Sequence, residues 1–267
     1  MNILITAGGT NEKIDNVRTI TNSSTGKLGS AIADAFVEAF SETDALQSGK
    51  IYYICGQNAV TPESGHINII RIGSVNDLVE KLTEILTTSK IDAVIHSMAV
   101  SDYTVDTLTT KSSIASAIAD FISRNEPAAS MDQEELSAQL VDVAFSPAEK
   151  LNSENKISSD IDDMVIVMKK TPKVIGLIKK LQPATLLVGF KLLSSVPLET
   201  LIDTGYNLLL KNNCDLVLAN DLSGINEYRH RGFLISPDKT YETFETKSQI
   251  AKGIVKQVCA ILNNQVP

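Results

Sequence analysis

The chain has 267 residues, of which 43% are hydrophobic and 21% charged, and its formal net charge is −8 at pH 7. This composition is near the globular average, so the chain can bury a sizeable core and global disorder is excluded. The acidic balance argues against a nucleic-acid partner, and the absence of an apolar run of ~18 residues or a basic leader predicts a cytoplasmic protein with no membrane association.

Short apolar segments alternate along the chain with segments of helical period. Apolar residues at consecutive positions predict strands that are covered on both faces. These strands are expected at 2–6, 51–55, 67–72, 91–96, 164–168, 185–190 and 215–219. Stripes at i, i+3, i+4 and i+7 predict helices near 28–40, 75–86, 172–181, 198–210 and 249–262. This alternation predicts an α/β fold with a mostly parallel sheet and helices on both faces.

Two stretches depart from this alternation. Residues 104–150 are polar and biased in composition, which favours helices or a mobile insertion over sheet. Residues 224–245 contain two short apolar runs around a Pro-Asp turn, which predicts a β-hairpin. This hairpin and residues 164–171 can form a second small lobe or a sheet extension used for dimerisation. We expect one domain over residues 1–267.

A glycine pair follows the first predicted strand, at Gly8 and Gly9, with Thr10 next. Small residues there let backbone N–H groups approach a ligand at the carboxyl edge of the sheet, although a plain glycine turn explains the pair equally well. The dinucleotide fingerprint G-x-G-x-x-G is not met, because Gly8 begins the run G-G-T-N-E-K. The Walker motif also fails, because Leu28 follows Gly26-Lys27.

A long connection, 11–24, separates the first strand from its helix. Long loops at the ligand edge of a sheet are more often functional than idle. Ser24 or Thr25 can cap the helix, and the free N–H groups of its first turn can bind an anion. Arg18 and Lys27 add positive charge. Capping accounts for the serines but not for Asn22 or Arg18.

Polar residues also follow the later strands. His96 and Asp102 follow strand 91–95 and should face the Gly8 loop if the two strands are neighbours. Asp102 can contact a base or a sugar or help to hold a metal, whereas His96 fits a satisfied core histidine better than a ligand. Lys156, considered alone, fits a solvated lysine before a strand.

The ends of the last two predicted parallel strands allow two interpretations each. Phe190 suits core packing and stacking on a base about equally. Asn220 and Asp221 can be simple turn-formers. The sequence offers no nucleophile paired with a base, because His66 and His230 have no obvious partner. Three widely spaced cysteines, Cys55, Cys214 and Cys259, predict neither a disulfide framework nor a zinc site.

Seven blocks follow one another in order: TAGGT, DNVRTITNSSTGKLG, MAVSDY, ENKI, the strand–TPKV step, VGFKL and DLVLAND. Together they resemble the phosphopantothenate–cysteine ligase family, also called phosphopantothenoylcysteine synthetases, of coenzyme A biosynthesis. The resemblance runs from Ile3 to the last helix and leaves out mainly residues 104–150. Its most diagnostic feature is Arg18 four residues before Asn22-Ser23-Ser24, because the fold alone does not require it.

The resemblance implies a Rossmann-like protein that forms a homodimer. In that family the carboxylate of 4′-phosphopantothenate attacks the α-phosphorus of a nucleoside triphosphate, and the amine of L-cysteine then attacks the acyl nucleotidylate. Bacterial members use CTP, whereas eukaryotic members use ATP. Many bacterial ligases are fused behind a flavin-dependent decarboxylase. This chain begins at the ligase motif, so the resemblance implies a stand-alone bacterial ligase that needs no flavin.

Site residues are carried over position by position. Asn22 matches the asparagine that contacts the acyl group, Arg18 the arginine of the same loop, and Lys156 the first lysine of the family's K-I-K-K segment. These three are the expected catalytic residues. Substrate and nucleotide binding is expected from Gly8, Gly9, Thr10, Ser23, Ser24, Gly26, Lys27, Met98, Ala99, Asp102, Phe190, Lys191 and Asn220.

Two departures from the family pattern are visible. The chain has Lys-Ile-Ser-Ser where bacterial members have Lys-Ile-Lys-Lys, which is closer to eukaryotic members and leaves ATP open beside CTP. Met98 replaces an alanine of the A-A-V-A-D segment.

The residue types suit this chemistry. Attack by a carboxylate on a phosphate brings two anions together, and the transition state needs cations and preorganised donors rather than a strong base. Lys156, Arg18 and a Mg²⁺ ion on the triphosphate are the expected cations, and Asn22 can donate to the mixed anhydride. Two other functions stay open: a nicotinamide-dependent oxidoreductase, disfavoured by the failed fingerprint, and a nucleotide-binding module without turnover.

Overall fold

A computed structural model describes residues 1–41, 49–124, 132–146, 150–151, 155–226 and 228–264. The chain divides into two units. The first unit comprises Met1–Asn11, Thr21–Val100 and Pro172–Pro267, and the second comprises Glu12–Ile20 and Ser101–Thr171.

The secondary structure alternates between strands and helices over most of the chain. In chain order the strands are β1 (Ile3–Ala7), β2 (Asn11–Lys13), β3 (Thr19–Thr21), β4 (Ile51–Gly56), β5 (Ile67–Ile72), β6 (Ala93–His96), β7 (Tyr103–Thr110), β8 (Met164–Lys170), β9 (Leu186–Leu193), β10 (Leu216–Asp221), β11 (Gly232–Ile235) and β12 (Tyr241–Phe244). The helices are α1 (Lys27–Ser41), α2 (Val75–Thr88), α3 (Lys111–Arg124), α4 (Gln133–Ala144), α5 (Val174–Leu181), α6 (Leu198–Asn212) and α7 (Lys247–Asn264).

The first unit is built on an eight-stranded sheet in the order β12-β11-β10-β9-β6-β1-β4-β5. The six strands from β10 to β5 run parallel, while β11 and β12 are antiparallel. Every residue of β1 is buried, as its unbroken apolar run predicts. The predicted mostly parallel, Rossmann-like α/β fold is confirmed. The predicted hairpin is also confirmed: β11 and β12 extend the main sheet.

Helices cover both faces of this sheet. One core cluster joins α1 and α7 to the sheet and includes Phe36 and Ile254, which are fully buried. The cluster on the other face includes Leu82 of α2 and Ile178 of α5. Full burial of each such side chain contributes about 1.5–3 kcal/mol. The capping box at Ser74, whose hydroxyl accepts from Asp77 N, begins α2.

The second unit contains an antiparallel pair, β7 with β8, and helices α3 and α4. One sequence expectation was wrong here. Residues 104–110 form sheet rather than helix, because the β-branched run of β7 suits a strand despite its polar composition. Residues 164–171 were expected in a second small lobe or in a sheet extension, and β8 pairs with β7 in the second unit. Residues 125–131, 147–149 and 152–154 lie outside the described residues.

The 11–24 connection is not a plain loop. It contains the short strands β2 and β3, which pair in a two-stranded sheet. The turn between them is closed by Ile14 N, which donates to Arg18 O at 2.9 Å. Among the described residues, no helix is long and apolar enough to cross a bilayer.

Candidate functional site

The carboxyl ends of β1 and β6 meet, because these two strands are neighbours in the sheet. Beyond them the chain continues as Gly8-Gly9-Thr10 and as Ser97-Met98-Ala99. Ala99 N donates to Gly8 O at 2.8 Å, and Thr10 N donates to Ala99 O at 3.3 Å. The predicted approach of these two segments is therefore confirmed.

Asn22 is anchored at this edge. Its Nδ2 donates to Ala99 O at 3.2 Å, and the hydroxyl of the preceding residue, Thr21, donates to Thr10 O at 3.1 Å. The Asn22 side chain is exposed. The loop after β3 is thus held against the Gly8 and Ala99 segments, with a carboxamide that a ligand can reach.

Glycines form a tight backbone floor beside Asn22. Gly8 and Gly26 adopt left-handed conformations, with φ of +78° and +74°. A Cβ at Gly8 would lie 2.6 Å from Ala59 Cβ, and one at Gly9 would lie 2.8 Å from Asn22 O. No side chain fits at these two positions, because they pack against Ala59 and against the backbone of Asn22.

The loop after β4 packs against Gly8 and Gly9. A Cβ at Gly56 would collide with Gly9 O. Arg71 of β5 holds this loop, because its Nη1 donates to Gly56 O at 3.0 Å, to Gln57 O at 2.7 Å and to Ala59 O at 3.1 Å. Arg71 was not predicted from the sequence, since no local motif links it to residues 56–59.

Helix α1 begins at Lys27, directly after the floor. Ser30 N donates to Gly26 O at 2.9 Å, and Thr25 Oγ1 lies 3.5 Å from Lys27 N. Ser24 N instead donates to Asn22 O at 2.8 Å. Ser24 therefore shapes the turn, and Thr25 is the residue that approaches the first helical amide. The positive end of the helix dipole and an exposed Lys27 favour an anion at this end of α1.

Phe190 and Lys191 lie on β9, which runs beside β6. Phe190 is half-buried and packs against the core cluster of α1 and α7, so part of its ring is used in packing. Lys191 is half-buried as well, and Ala219 of β10 is its neighbour in register. Both residues follow Gly189, which lies opposite His96 in the register of β9 with β6.

Asn220 is not a turn-former, because it lies within β10 and is buried. Its Nδ2 lies 3.2 Å from Nε2 of His230. The expectation that His230 has no partner was therefore wrong, because the antiparallel pairing of β10 with β11 brings these residues, ten positions apart, together. Burial lowers the pKa of His230 to about 4, so the ring is neutral at pH 7.

His96 behaves as the satisfied core histidine that the sequence favoured. Its Nδ1 pairs with Thr6 Oγ1 at 2.8 Å on the neighbouring strand. Burial lowers the pKa of His96 to about 4. Met98, two residues further, is buried in the cluster beneath α2, so its side chain supports the site rather than facing solvent.

In the second unit, Asp15 organises the turn that carries Arg18. Asp15 Oδ1 accepts from Val17 N at 2.8 Å and from Arg18 N at 2.7 Å. Asp15 Oδ2 accepts from Arg18 Nε at 2.9 Å, from Arg18 Nη2 at 2.6 Å and from Ile157 N at 3.2 Å. The bonds from Arg18 hold the pKa of the Asp15 carboxyl well below its usual range.

Two of the three expected catalytic residues, Arg18 and Lys156, belong to this unit. Arg18 Nη2 also donates to Ile157 O at 3.1 Å, and Lys156 precedes Ile157 with an exposed side chain. Asp15 was not singled out from the sequence, although the run Asp-Asn-Val-Arg is the pattern of an Asx turn that could have found it. Glu154, the first residue of the ENKI block, lies outside the described residues.

Asp102 and Ser23 are exposed, whereas Cys214 is buried. Asp102 belongs to the second unit, has an exposed side chain, and accepts from Thr171 N through its backbone carbonyl at 3.0 Å. Burial raises the pKa of Cys214 to about 12, which keeps its thiol protonated. Within the described ranges, no three His, Cys, Asp or Glu side chains cluster as metal ligands.

Known proteins resemble this chain over nearly its whole length. A bifunctional coenzyme A biosynthesis protein, CoaBC of Thermococcus kodakarensis, is 28% identical over 236 residues, which are 88% of this chain and 45% of that protein. A crystal structure of a DNA/pantothenate metabolism flavoprotein from Streptococcus pneumoniae is 33% identical, with a TM-score of 0.74 and coverage of 98% of this chain and 99% of that one.

A third likeness concerns the fold alone. A Cab2 mutant in complex with phosphopantothenate-cysteine is 16% identical, with a TM-score of 0.63 and coverage of 98% of this chain and 86% of that one. The chain spans about half the length of the curated CoaBC relatives that it matches. The family described as the C-terminal domain of the DNA/pantothenate metabolism flavoprotein matches residues 1–125 and 143–262. The chain belongs to this family, which confirms the family membership predicted from the seven sequence blocks.

Proposed function

We propose that the protein is a phosphopantothenate–cysteine ligase of coenzyme A biosynthesis, an acid–amino-acid ligase. The carboxylate of 4′-phosphopantothenate attacks the α-phosphorus of a nucleoside triphosphate and releases pyrophosphate. The amine of L-cysteine then attacks the activated carbonyl, which forms the amide and releases the nucleoside monophosphate. Membership of the family and the CoaBC relatives support this reaction.

One observation carries the proposal: the Asn22 carboxamide, bound to Ala99 O, lies beside a floor of peptide groups at the carboxyl edge of the sheet. The first turn of α1 suits a polyphosphate, because the N–H groups at a helix N-terminus favour an anion. The exposed Asn22 amide suits the carboxyl oxygen of the acyl substrate.

The proposed roles follow from charge. Lys156 and Arg18 stabilise the negative charge that builds up when the carboxylate attacks the phosphate, and Mg²⁺ enters with the nucleotide. Asn22 donates to the oxygen of the mixed anhydride. Cysteine is itself the nucleophile of the second step, so no side-chain nucleophile is needed. The neutral buried His96 and the protonated Cys214 agree with that scheme.

The finer assignments belong to the same proposal. CTP is the favoured nucleotide, with ATP as the alternative that the Lys156-Ile157-Ser158-Ser159 run leaves open. The protein acts in the cytoplasm as a homodimer on small-molecule substrates, without flavin. The remaining binding residues are Gly8, Gly9, Thr10, Ser23, Ser24, Gly26, Lys27, Met98, Ala99, Asp102, Phe190, Lys191 and Asn220.

The test is pyrophosphate release from CTP or ATP with Mg²⁺, measured with each acid and amine substrate omitted in turn. We expect pyrophosphate only when 4′-phosphopantothenate is present, and the amide only when L-cysteine is added too. If both nucleotides stay intact in the complete mixture, the ligase proposal is wrong. Tight nucleotide binding without turnover would instead identify a binding module, and hydride transfer with a nicotinamide cofactor would identify an oxidoreductase.

A further inference from the structure

We infer that Asp15 is a positioning residue that locks Arg18 to the segment carrying Lys156. The inference rests on the proposed function, because it assigns to Asp15 the task of holding two cations of that reaction in place. Asp15, Arg18 and Ile157 all belong to the second unit, so the arrangement lies within one compact part of the chain.

The two carboxylate oxygens of Asp15 accept hydrogen bonds from different groups. Oδ1 accepts only backbone N–H groups of its own turn, from Val17 at 2.8 Å and Arg18 at 2.7 Å. Oδ2 accepts from the Arg18 guanidinium at 2.6 and 2.9 Å and from Ile157 N at 3.2 Å. Oδ1 therefore shapes the turn, and Oδ2 joins that turn to a segment 142 residues away along the chain.

The connection is closed into a ring. Arg18 Nη2 donates both to Asp15 Oδ2 and to Ile157 O, while Ile157 N donates to the same Asp15 oxygen. The backbone of Ile157 is thus held at both its N–H and its C=O. Lys156 is the adjacent residue, so its main chain is fixed by this ring although its side chain is exposed.

The ion pair between Asp15 and Arg18 differs from a surface ion pair, because its carboxylate is buried. The Asp15 side chain is fully buried, whereas 40% of the Arg18 side chain is exposed. A buried carboxylate is stable only when its oxygens are fully hydrogen-bonded, and removal of its charged partner leaves it unmatched. Arg18 therefore keeps one fixed orientation, with its outer part accessible from solvent.

Asp15→Asn keeps the hydrogen bonds that shape the turn and removes those that lock Arg18 to Ile157. An asparagine keeps Oδ1 as the acceptor for Val17 N and Arg18 N, but its NH2 group cannot accept from Arg18 or Ile157 N. Hydrogen exchange should therefore accelerate at the Ile157 amide and stay unchanged at those of Val17 and Arg18. Pyrophosphate formation at saturating substrates should fall about 10²-fold, as misplacement of a catalytic group costs, while the KM for cysteine stays constant.

The matched control is Asp160→Asn, which removes an exposed carboxylate that accepts from Ser158 Oγ in the same segment. It should leave exchange at Ile157 and the rate of pyrophosphate formation unchanged. Thermal unfolding of both variants shows whether the fold is kept. If Asp15→Asn does not fold, exchange in the wild type still tests the inference, because Ile157 lies outside helices and strands and its N–H donates to Asp15 Oδ2, so a fast-exchanging amide shows that the lock does not form.

Fast exchange of the Ile157 amide in the wild type overturns the inference. A folded Asp15→Asn protein with the wild-type rate overturns it as well. A wild type that releases no pyrophosphate, yet protects the Ile157 amide, contradicts the ligase proposal and supports the lock. The two failures are thereby distinguished.

Discussion

The side-chain amide of Asn22 donates to the backbone carbonyl of Ala99 at 3.2 Å, across 77 residues of sequence. This single bond joins the loop after β3 to the segment after β6. It orients the carboxamide at the edge where Gly8 and Gly9 leave β1. The relationship also gives a clear reason why an amide, rather than a carboxylate, stands at position 22: the carbonyl needs a donor.

Asn22→Asp is expected to abolish ligation and keep the fold. The aspartate would place an acceptor against Ala99 O and a negative charge where the acyl substrate binds, so the rate should fall at least about 10²-fold, as loss of an oxyanion donor does. Because the side chain is exposed, the free energy of unfolding should change by no more than ~0.5 kcal/mol. Amide formation and urea unfolding measure the two effects.

The control for that variant is Asn68→Asp, the same substitution at an exposed position of β5. It should leave amide formation unchanged. Near-normal turnover by Asn22→Asp would remove Asn22 from the site.

Lys156→Gln is expected to slow the first half-reaction most. The lysine is proposed to stabilise charge that develops as the carboxylate attacks the phosphate, so pyrophosphate formation should fall about 10²-fold or more. Attack of cysteine on a preformed acyl nucleotidylate should fall less. Rapid-quench measurement of each half-reaction separates them.

Lys111→Gln, at an exposed lysine that begins α3, is the matched control. It should leave both half-reactions at the wild-type rate. An unchanged rate of pyrophosphate formation in Lys156→Gln would make Lys156 a solvated surface residue.

The sequence predicted the main sheet because its strands carry their signal locally. Each of β1, β4 and β6 is mostly apolar at consecutive positions, and the helices between them have a regular stripe, so type and order could be read without tertiary information. The same reasoning placed Gly8 beside Ala99, because parallel neighbours end at one edge. The signal failed in β7, where threonines gave a polar composition to residues that are partly buried.

Contacts between distant residues could not be predicted in this way. The bond between Asn220 and His230 depends on the antiparallel pairing of β11 with β10, and no local sequence pattern at either residue predicts it. Arg71 likewise supports the loop after β4 from a neighbouring strand. Such pairs depend on sheet register, which single-sequence periodicity does not provide.

The stability of the protein should fall with acid between pH 6.5 and 4. Burial lowers the pKa of His96 and of His230 from 6.5 to about 4, so within that window the unfolded chain binds protons at these two side chains that the native state does not. The stabilisation is fully present above pH 6.5 and is lost as the pH falls toward 4, by up to ~1.4 kcal/mol per pH unit for one group. Urea unfolding across the window measures the slope.

His96→Gln should lower that slope, because it removes one of these titrating groups and keeps an acceptor for Thr6 Oγ1. His66→Gln, at an exposed histidine, is the control and should leave the slope unchanged. If His96→Gln keeps the wild-type slope, His96 does not contribute to it.

A pair of glycine substitutions tests how tightly α1 lies on the site. Alanine normally stabilises a helix relative to glycine by about 1 kcal/mol. At Gly29 of α1, however, a Cβ would lie 2.5 Å from Ala7 Cβ and 2.8 Å from Ser97 Oγ, so Gly29→Ala should instead destabilise by about 1–3 kcal/mol through overpacking. At Gly176 of α5 the nearest neighbour is Asn212 Oδ1 at 3.7 Å, so Gly176→Ala should stabilise by about 0.5–1 kcal/mol. Urea unfolding measures both, and equal signs would mean that α1 does not press on the ends of β1 and β6.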